Sequence, residues 1–330
     1  MNIIRKIKNW VVMNNRVINY MKYSQSFPMK QIRKQIRNKN MRSHYPLSLY
    51  CAISPERIAI ETTNFCNTSC LFCPHNIMKR KKENMDMDLF KKAVDDSYDL
   101  GVKHIMLSFF GEPLVDKLIF DRIKYIKDKD MECSFFTNAI GLNDEVIKKI
   151  INSKIDRIFI SLDAINEDYW KKIRATGNYN TIVFNIAKLL LKNKNIKIDI
   201  GLLLFDDISK KDVTNFIKKW KMANEVHIRK LHSWTNTKES KKCNLPCYSL
   251  WSGTGLGVLS NGNVVPCCMD YEGILKIGNI KKDSLKNIWF SSQKLRHIRE
   301  LHLEGKKDNL NICKYCSITE SNTDPWWYYE

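Results

Sequence analysis

Three cysteines lie close together in the stretch ETTNFCNTSCLFCPH, residues 61–75. Cys66, Cys70 and Cys73 form a C-x3-C-x2-C triplet, a spacing at which three thiolates can share one metal centre. A closed structural zinc site needs four ligands, and a fully ligated Fe4S4 cluster is held by four cysteines. The triplet therefore favours an iron–sulfur cluster with one iron left open. Two interpretations remain beside it: a Cys3His zinc site completed by His75, and three unrelated core thiols.

A second group of cysteines lies near the C-terminus. The segment VLSNGNVVPCC predicts a hairpin with a two-residue Asn261-Gly262 turn, which delivers a cysteine pair. A helical stretch and a C-x2-C knuckle follow. Four cysteines contributed by three separate segments predict a small subdomain that is held together by a bound metal group. The predicted ligands are Cys247, Cys267, Cys313 and Cys316. Cys243 or Cys268 could replace a neighbour, and the spacing favours an Fe4S4 cluster over zinc.

The composition fits a globular protein rather than a small disulfide scaffold. The chain has 330 residues, 44% hydrophobic and 11% aromatic, enough to bury a core. Its start, MNIIRKIKNWVVMNNR, lacks the apolar segment and cleavage site of a secretory leader. No apolar run reaches the roughly 18 residues of a membrane span. We therefore expect the cysteines to be reduced in a cytoplasmic protein, as ligands rather than disulfide bridges. Cys51 and Cys133 are expected instead to be small buried hydrophobic residues.

Basic residues are concentrated at the N-terminus. The formal net charge is +20, and residues 1–50 contain eleven Lys and Arg but no Asp or Glu. Ile3, Ile7 and Trp10 fall at helical spacing among these basic residues, which is an amphipathic pattern. One interpretation is a solvated basic helix that packs on the main domain. The other is a peripheral contact with an anionic membrane surface through residues 1–50.

Six short apolar runs alternate with helical patterns from residue 55 onward. They are RIAIETT (57–63), HIMLSFF (104–110), CSFFTNA (133–139), RIFISLD (157–163), KIDIGLLL (197–204) and EVHIRKLH (225–232). The segments between them carry apolar residues at three- and four-residue spacing, which predicts helices. Strands and helices in alternation predict an α/β fold with a parallel sheet, either doubly wound or an incomplete barrel.

Polar residues follow the ends of these predicted strands, the edge at which α/β folds place their chemistry. Each residue alone could serve as a turn or capping residue. Their shared position beside the cysteine triplet, however, predicts a single site. They are Gly111 and Glu112, Thr137 and Asn138, Ser161 and Asp163, and His232.

These motifs together resemble the radical S-adenosylmethionine (SAM) superfamily. CNTSCLFC resembles its C-x3-C-x-Φ-C signature, with Phe72 as the aromatic residue, and FFGEP resembles its GGEP motif with a Phe for the first Gly. The C-terminal group is similar to a SPASM or twitch auxiliary-cluster domain. The spacing fits that domain's pattern: fourteen residues separate Cys247 from Gly262, and four separate Gly262 from Cys267. No cysteine follows Cys316, which resembles the form with one auxiliary cluster.

The resemblance implies a fold and a set of cofactors. The fold would be a partial (β/α)6 TIM-like barrel followed by a small C-terminal cysteine-rich α+β auxiliary-cluster domain. The cofactors would be a SAM-binding 4Fe-4S cluster, a second, auxiliary 4Fe-4S cluster and SAM itself. The implied SAM contacts are Phe72 at the adenine, Gly111 and Glu112 at the methionine amino group, Ser161 near the ribose and carboxylate, and Arg174 at the carboxylate.

The implied reaction is reductive cleavage of SAM to a 5′-deoxyadenosyl radical, which abstracts hydrogen from a substrate. A small polar molecule, such as a sugar, cyclitol or amino sugar, is the expected substrate, and the auxiliary cluster would make the net reaction an oxidation. His227, His232 and Asp270 are candidates for proton transfer. A reducing partner such as flavodoxin or ferredoxin is expected, and no nucleic acid. The alternatives are a radical SAM maturase of peptides or proteins, and a non-enzymatic basic zinc-binding protein.

The sequence thus predicts five segments. A basic helical extension covers 1–54, the barrel 55–232, and a linker 233–246. The auxiliary-cluster domain covers 247–318, and an aromatic tail, 319–330, ends the chain.

Overall fold

The structure, a computed structural model, describes residues 54–174, 176–230, 246–247, 249–314 and 316. The predictions for residues 1–53, for nearly all of the linker, for His232 and Cys243, and for the aromatic tail lie outside these residues. The described residues all belong to one compact unit. No helix among them is long and apolar enough to cross a membrane.

Six parallel strands follow one another across the sheet in sequence order. They are β1 (Arg57–Ile60), β2 (His104–Met106), β3 (Glu132–Thr137), β4 (Arg157–Ser161), β5 (Lys197–Leu204) and β6 (Glu225–Lys230). Each strand pairs with the one before it, without the reversal of order that defines a doubly wound sheet. The strands are also staggered along the sheet. The pairing of β3 with β2 begins at Glu132, whereas its pairing with β4 begins two residues later, at Ser134. This stagger is the shear of a barrel, so the partial barrel is confirmed.

Helices connect these strands as predicted. They are α1 (Met87–Asp99), α2 (Ile119–Lys127), α3 (Asp144–Asn152), α4 (Glu167–Arg174), α5 (Tyr179–Lys192) and α6 (Lys210–Lys219). Local capping sets their starts: the Asp86 carboxylate accepts a hydrogen bond from the Leu89 N–H, and Ser209 with Asp212 forms a capping box. The long helical stretch after β4 divides in two, because Gly177 adopts a positive φ of 82° and Asn178 caps a new helix.

The C-terminal segment extends the same sheet. Its elements are α7 (Ser249–Ser252), β7 (Gly257–Val258), β8 (Asn263–Val265), β9 (Gly278–Asn279), α8 (Leu285–Ser291), α9 (Gln293–Leu303) and α10 (Asn311–Lys314). Strand β7 lies parallel to β1, with Ala59 opposite Gly257, and β8 and β9 continue antiparallel. The cysteine-rich segment is therefore joined to the barrel edge by a ladder of main-chain hydrogen bonds.

The hairpin in this segment differs from the prediction by one residue. The Leu259 N–H donates to the Asn263 carbonyl oxygen at 2.8 Å, so the loop has three residues, Ser260 to Gly262, and the two-residue turn was wrong. Gly262 has a φ of 84°, as expected for a type I turn followed by a left-handed residue. The extra loop residue, Ser260, makes contacts at the barrel edge that are described below.

Candidate functional site

The cysteine triplet lies on the loop that follows β1. Cys70 is buried, whereas Cys66 and Cys73 are partly exposed. The loop turns tightly, since the Cys73 N–H donates to the Cys70 carbonyl oxygen at 3.1 Å. The Leu71 N–H donates to the Ile173 carbonyl oxygen at 2.8 Å, which fixes the loop against the end of α4. The triplet thus sits at the carboxyl edge of the barrel, as predicted.

The electrostatics of these thiols suit a cationic metal group. Burial, with a smaller contribution from neighbouring thiolates of the triplet, raises the pKa of Cys66 to about 12 and that of Cys73 to about 11. Three thiolates cannot remain together here without a compensating positive charge, so metal binding must displace their protons. No three Cys, His, Asp or Glu side chains in the described ranges are already grouped to hold a single ion. The donor set fits an iron–sulfur cluster held by Cys66, Cys70 and Cys73.

Arg174 supplies positive charge beside the triplet. Its Nη1 donates to the Cys70 Sγ at 3.2 Å, and its Nη2 donates to the Ser161 carbonyl oxygen at 2.5 Å and to an Asp163 oxygen at 2.6 Å. Burial opposes the charge of Arg174, but the Cys70 thiolate and nearby carboxylates outweigh burial and raise its pKa. Its Nε is buried without a hydrogen-bond partner among the described residues. One N–H is therefore left for a ligand, which fits a SAM carboxylate.

Asp163 connects this arginine to a second one. It has a left-handed φ of 57°, a conformation that Asp tolerates better than most residues, and it is almost fully buried. One carboxylate oxygen accepts from Arg174, and the other accepts from the Arg229 Nη2 at 3.0 Å. Gly201 leaves room for this contact, because a Cβ there would lie 2.6 Å from the Arg229 Nη2. The Asp163 carboxylate therefore fixes the positions of these two guanidiniums relative to each other.

Glu112 is held in place by the end of β3. Its carboxylate accepts hydrogen bonds from the Thr137 hydroxyl at 2.7 Å and from the Asn138 N–H at 2.8 Å. Asn138 in turn donates from its side chain to the Asn67 side-chain oxygen on the cysteine loop at 2.8 Å. Burial raises the pKa of Glu112, and the hydrogen bonds offset that rise only in part. A cation beside this carboxylate would relieve the cost of its burial.

Phe72, on the cysteine loop, packs against the residue that follows β5. Its ring packs edge-on against Phe205, with ring centroids 6.1 Å apart, and the Arg174 guanidinium lies 5.6 Å from its centroid. An aromatic face beside a guanidinium suits the stacking of a flat purine ring. The predicted SAM contacts Phe72, Ser161 and Arg174 therefore lie around the triplet.

Gly111 is placed where the β2 loop crosses the cysteine loop. A Cβ on Gly111 would overlap the Thr63 carbonyl oxygen and lie 2.9 Å from the Phe65 carbonyl oxygen. The adjacent Glu112 N–H donates to that Phe65 oxygen at 2.9 Å, which draws the two backbones together. Of the two glycines in the related GGEP motif, the one retained here is the one that the backbone contact requires.

Gly111→Ala is expected to weaken SAM binding more than about tenfold, because the backbone must move away from the cysteine loop. The measurement is equilibrium dialysis of radiolabelled SAM against anaerobically reconstituted protein. Gly141→Ala is the matched control, since a Cβ there meets only the Leu114 side chain, at 3.2 Å. An unchanged SAM dissociation constant for Gly111→Ala would contradict the close approach.

A buried ion pair joins the barrel to the C-terminal segment. Glu61, fully buried, pairs with Arg80 through two hydrogen bonds of 2.9 and 2.8 Å. The same carboxylate accepts from the Ser260 hydroxyl at 3.0 Å and from the Ser260 N–H at 3.2 Å. The Arg80 Nε donates to the Tyr271 carbonyl oxygen at 2.6 Å. The cysteine loop and the hairpin that carries the second cysteine group therefore share one polar core.

The second cysteine group also converges. Cys313 interacts electrostatically with the other three predicted ligands, and burial followed by these thiolates raises its pKa. A hydrogen bond with Cys268, followed by burial, raises the pKa of Cys267 well above its usual range. Cys267, rather than Cys268, is the member of that pair in electrostatic contact with Cys313. These thiols can hold a cluster through Cys247, Cys267, Cys313 and Cys316.

Three residues that the sequence suggested for proton transfer or metal binding make other contacts in the structure. The Nε2 of His227, in β6, lies 3.1 Å from a Glu225 carboxylate oxygen. It lines a cavity of about 420 Å³ bordered by the first residues of β1 to β5, at the opposite end of the barrel from the cysteines. The Asp270 carboxylate accepts the Ile274 and Leu275 N–H groups, which is a loop-closing role. The His75 Nε2 contacts the Asn64 carbonyl oxygen at 2.9 Å and the Lys82 Nζ at 2.7 Å rather than a metal site.

Several important residues were missed by the sequence reasoning. Arg80 lies in the run KRKK, which resembles an ordinary solvated basic loop. Arg229 lies within the short strand β6 and belongs to no recognisable motif. His302 gave a usable signal, because it falls on the apolar stripe of α9 after Leu295 and Ile298.

Comparison with known proteins agrees with this geometry. A sequence profile of the radical SAM superfamily matches residues 60–219, and one of the SPASM iron–sulfur cluster-binding domain matches residues 247–317. GTP 3′,8-cyclase of Clostridium perfringens is 31% identical over 165 residues, which are 48% of this chain and 50% of the cyclase. The chain thus spans about half the length of that relative.

Two further proteins match more of the chain. The S-adenosyl-L-methionine-dependent 2-deoxy-scyllo-inosamine dehydrogenase of Niallia circulans is 23% identical over 274 residues, 82% of this chain and 96% of the dehydrogenase. Streptococcus suis SuiB, solved with its precursor peptide SuiA, superposes with a TM-score of 0.64 at 14% identity, covering 89% of this chain and 77% of SuiB. At that identity the superposition shows the fold alone. The cofactors of this chain are SAM, a 4Fe-4S cluster and the auxiliary iron–sulfur clusters that a SPASM domain binds. The chain belongs to the radical SAM enzyme superfamily, with a SPASM domain C-terminal to its radical SAM domain.

Proposed function

We propose that this enzyme oxidises a small polar molecule, such as a sugar, cyclitol or amino sugar, after reductive cleavage of SAM. Cys66, Cys70 and Cys73 hold the SAM-binding cluster, and Cys247, Cys267, Cys313 and Cys316 hold the auxiliary one. When bound, the first group supplies a 5′-deoxyadenosyl radical for hydrogen abstraction and the second supplies an acceptor for one electron. Loss of one hydrogen atom, one proton and one electron converts a secondary alcohol to a ketone.

The residues around the triplet support SAM binding in a defined orientation. The free Nε–H of Arg174 suits the SAM carboxylate, and the buried Glu112 carboxylate suits the SAM ammonium group. Phe72 offers an aromatic face for the adenine. Opposite charges placed at both ends of the amino-acid part of SAM would fix its direction on the cysteine loop.

The convergence of four thiols in the SPASM domain carries the proposal of a net oxidation. Cys313 lies in electrostatic contact with Cys247, Cys267 and Cys316. A site with four cysteine ligands leaves no iron open to bind substrate, so its useful property is electron transfer. Both cysteine groups also belong to the same compact unit and share the Glu61–Arg80 core, which suits electron transfer between fixed positions.

The proposed substrate class rests on the match to the dehydrogenase, whose name indicates an aminocyclitol substrate. That match spans 96% of the dehydrogenase and 82% of this chain. A peptide maturase is the second candidate, supported by the fold shared with SuiB.

The partners follow from the chemistry. Superfamily members use an external reductant, and we propose a small electron-transfer protein such as flavodoxin or ferredoxin. For residues 1–50, a peripheral contact with an anionic membrane surface stays a proposal that rests on their charge alone.

The test is anaerobic reconstitution followed by three measurements. Iron and sulfide are counted, with about eight irons per chain expected for two Fe4S4 clusters. Dithionite and SAM are then added, and 5′-deoxyadenosine is measured by chromatography. Finally, aminocyclitols, amino sugars and simple cyclitols are screened by mass spectrometry for a product two mass units lighter than its substrate.

The outcomes separate the candidates. Stimulation of 5′-deoxyadenosine formation by a small polyol, together with the oxidised product, supports the proposal. Turnover of only a precursor peptide encoded beside this gene would establish the maturase instead. Stoichiometric zinc without iron or 5′-deoxyadenosine would contradict both.

A further inference from the structure

His302 lies inside the auxiliary cysteine group without being one of its predicted ligands. It is only 3% exposed and falls on the buried face of α9 with Leu295 and Ile298. Two of the four cysteines contact its ring directly. The Cys247 N–H donates to the Nδ1 at 3.3 Å, and the Nε2 lies 3.4 Å from the Cys313 Sγ.

These two contacts determine where the ring proton lies. A nitrogen that accepts a hydrogen bond from a backbone N–H must present its lone pair, so Nδ1 carries no proton. The proton of the imidazole is therefore on Nε2, which faces the Cys313 Sγ. The contact with Cys313 is an N–H···S hydrogen bond donated by the histidine. A metal-ligating Nε2 would need its lone pair, which this tautomer does not offer.

We propose that His302 is a positioning residue that donates a hydrogen bond to the Cys313 ligand sulfur and thereby raises the reduction potential of the auxiliary cluster. This inference rests on the proposed function, because it requires a cluster at the four cysteines. Reduction adds negative charge, which spreads onto the ligand sulfurs, so a hydrogen bond to one of them strengthens on reduction.

Neighbouring charge acts in the same direction. Lys307 is 6% exposed, lies on the 3-10 helix Lys307–Asn309 between α9 and α10, and places a positive charge near Cys313. The Met269 N–H also donates to the Cys267 Sγ at 3.4 Å. A more readily reduced auxiliary cluster is a better acceptor for the electron of a substrate radical. His302 would thus favour net oxidation of the substrate over a reaction in which the electron is returned and no net oxidation occurs.

The experiment compares two substitutions of His302 with a control on the same helix. His302→Leu removes the donor, and His302→Gln places an amide N–H near the position of Nε2. His297→Leu is the control, because the His297 side chain is 67% exposed. Each variant is made in a Cys66→Ala background, which leaves one cluster to be titrated. Iron and sulfide are counted, and the midpoint potential is measured by a redox titration followed by electron paramagnetic resonance.

His302→Leu is expected to keep its iron while the equilibrium constant for cluster reduction falls about tenfold, or about 59 mV for a one-electron couple. His302→Gln should recover most of that shift, and His297→Leu should show none. A merely structural role would not distinguish Gln from Leu in this way.

Two results would overturn the proposal. An unchanged midpoint potential in His302→Leu would mean that the hydrogen bond does not tune the cluster. Loss of iron from both His302 variants, with circular dichroism unchanged, would mean that the histidine is itself a ligand. Absence of a second cluster already in the Cys66→Ala parent would instead refute the proposed function on which the inference rests.

Discussion

Cys66→Ala is expected to abolish reductive cleavage of SAM while the auxiliary cluster remains. The variant leaves two thiolates on the loop, too few to hold a cluster that depends on three. The rate of 5′-deoxyadenosine formation should fall about a thousandfold or more, equal to at least about 4 kcal/mol of activation free energy. The measurement combines single-turnover chromatography with iron analysis, in which about half of the iron should remain.

Two other cysteine substitutions serve as controls. Cys133 is fully buried in β3 outside both groups, so Cys133→Ala should keep all the iron and the cleavage activity. Cys316→Ala should have the reciprocal effect, with loss of auxiliary iron and product but continued, uncoupled cleavage of SAM. Retained SAM cleavage in Cys66→Ala would refute the assignment of the triplet, and full iron in Cys316→Ala would exclude Cys316 as a ligand.

Arg80→Met is expected to destabilise the protein by about 3–5 kcal/mol, because it leaves the Glu61 carboxylate buried without its counter-charge. Glu61 has no exposed surface, and the Arg80 side chain is only 8% exposed. The Ser260 donors remain, but neutral hydrogen bonds do not replace a guanidinium that contacts both oxygens. The measurement is the shift of the thermal unfolding midpoint of the reconstituted protein under anaerobic conditions.

A double substitution and a surface pair test the cause. Glu61→Gln with Arg80→Met removes the stranded charge and should recover part of the lost stability, which a double-mutant cycle quantifies. Lys124→Met breaks a pair whose side chains are 73% and 59% exposed, so its cost should stay below about 1 kcal/mol. Equal effects of Arg80→Met and Lys124→Met would show that the buried pair does not hold the barrel to the C-terminal segment.

The features that depend on local sequence could be predicted. Alternation of strands and helices is set by residue spacing, and β1 to β6 lie where their apolar runs indicated. The carboxyl ends of parallel strands meet at one edge, so the cysteine loop, Glu112 and Ser161 had to lie near one another. Three of the four predicted auxiliary ligands could be picked out because a hairpin delivers Cys267 and a C-x2-C knuckle contains Cys313 and Cys316.

Other features depend on how distant segments pack, and no local pattern could have indicated them. Glu61 and Ser260 are separated by 199 positions, and they meet because β7 pairs with β1 and adds a strand to the barrel sheet. Arg229 reaches Asp163 only because Gly201, on the strand between them, has no side chain.

The sequence by itself determined the alternation of strands and helices and the presence of two cysteine groups, since both follow from residue type and spacing. The tertiary structure alone decided which further polar side chains, such as Arg229 and His302, lie near the two cysteine groups. The buried position of His302 could be inferred from the apolar stripe of α9, but its place between Cys247 and Cys313 is seen only in the folded structure. The physical reason is that a hydrogen bond is set by distance and direction between atoms, which packing fixes and sequence spacing does not.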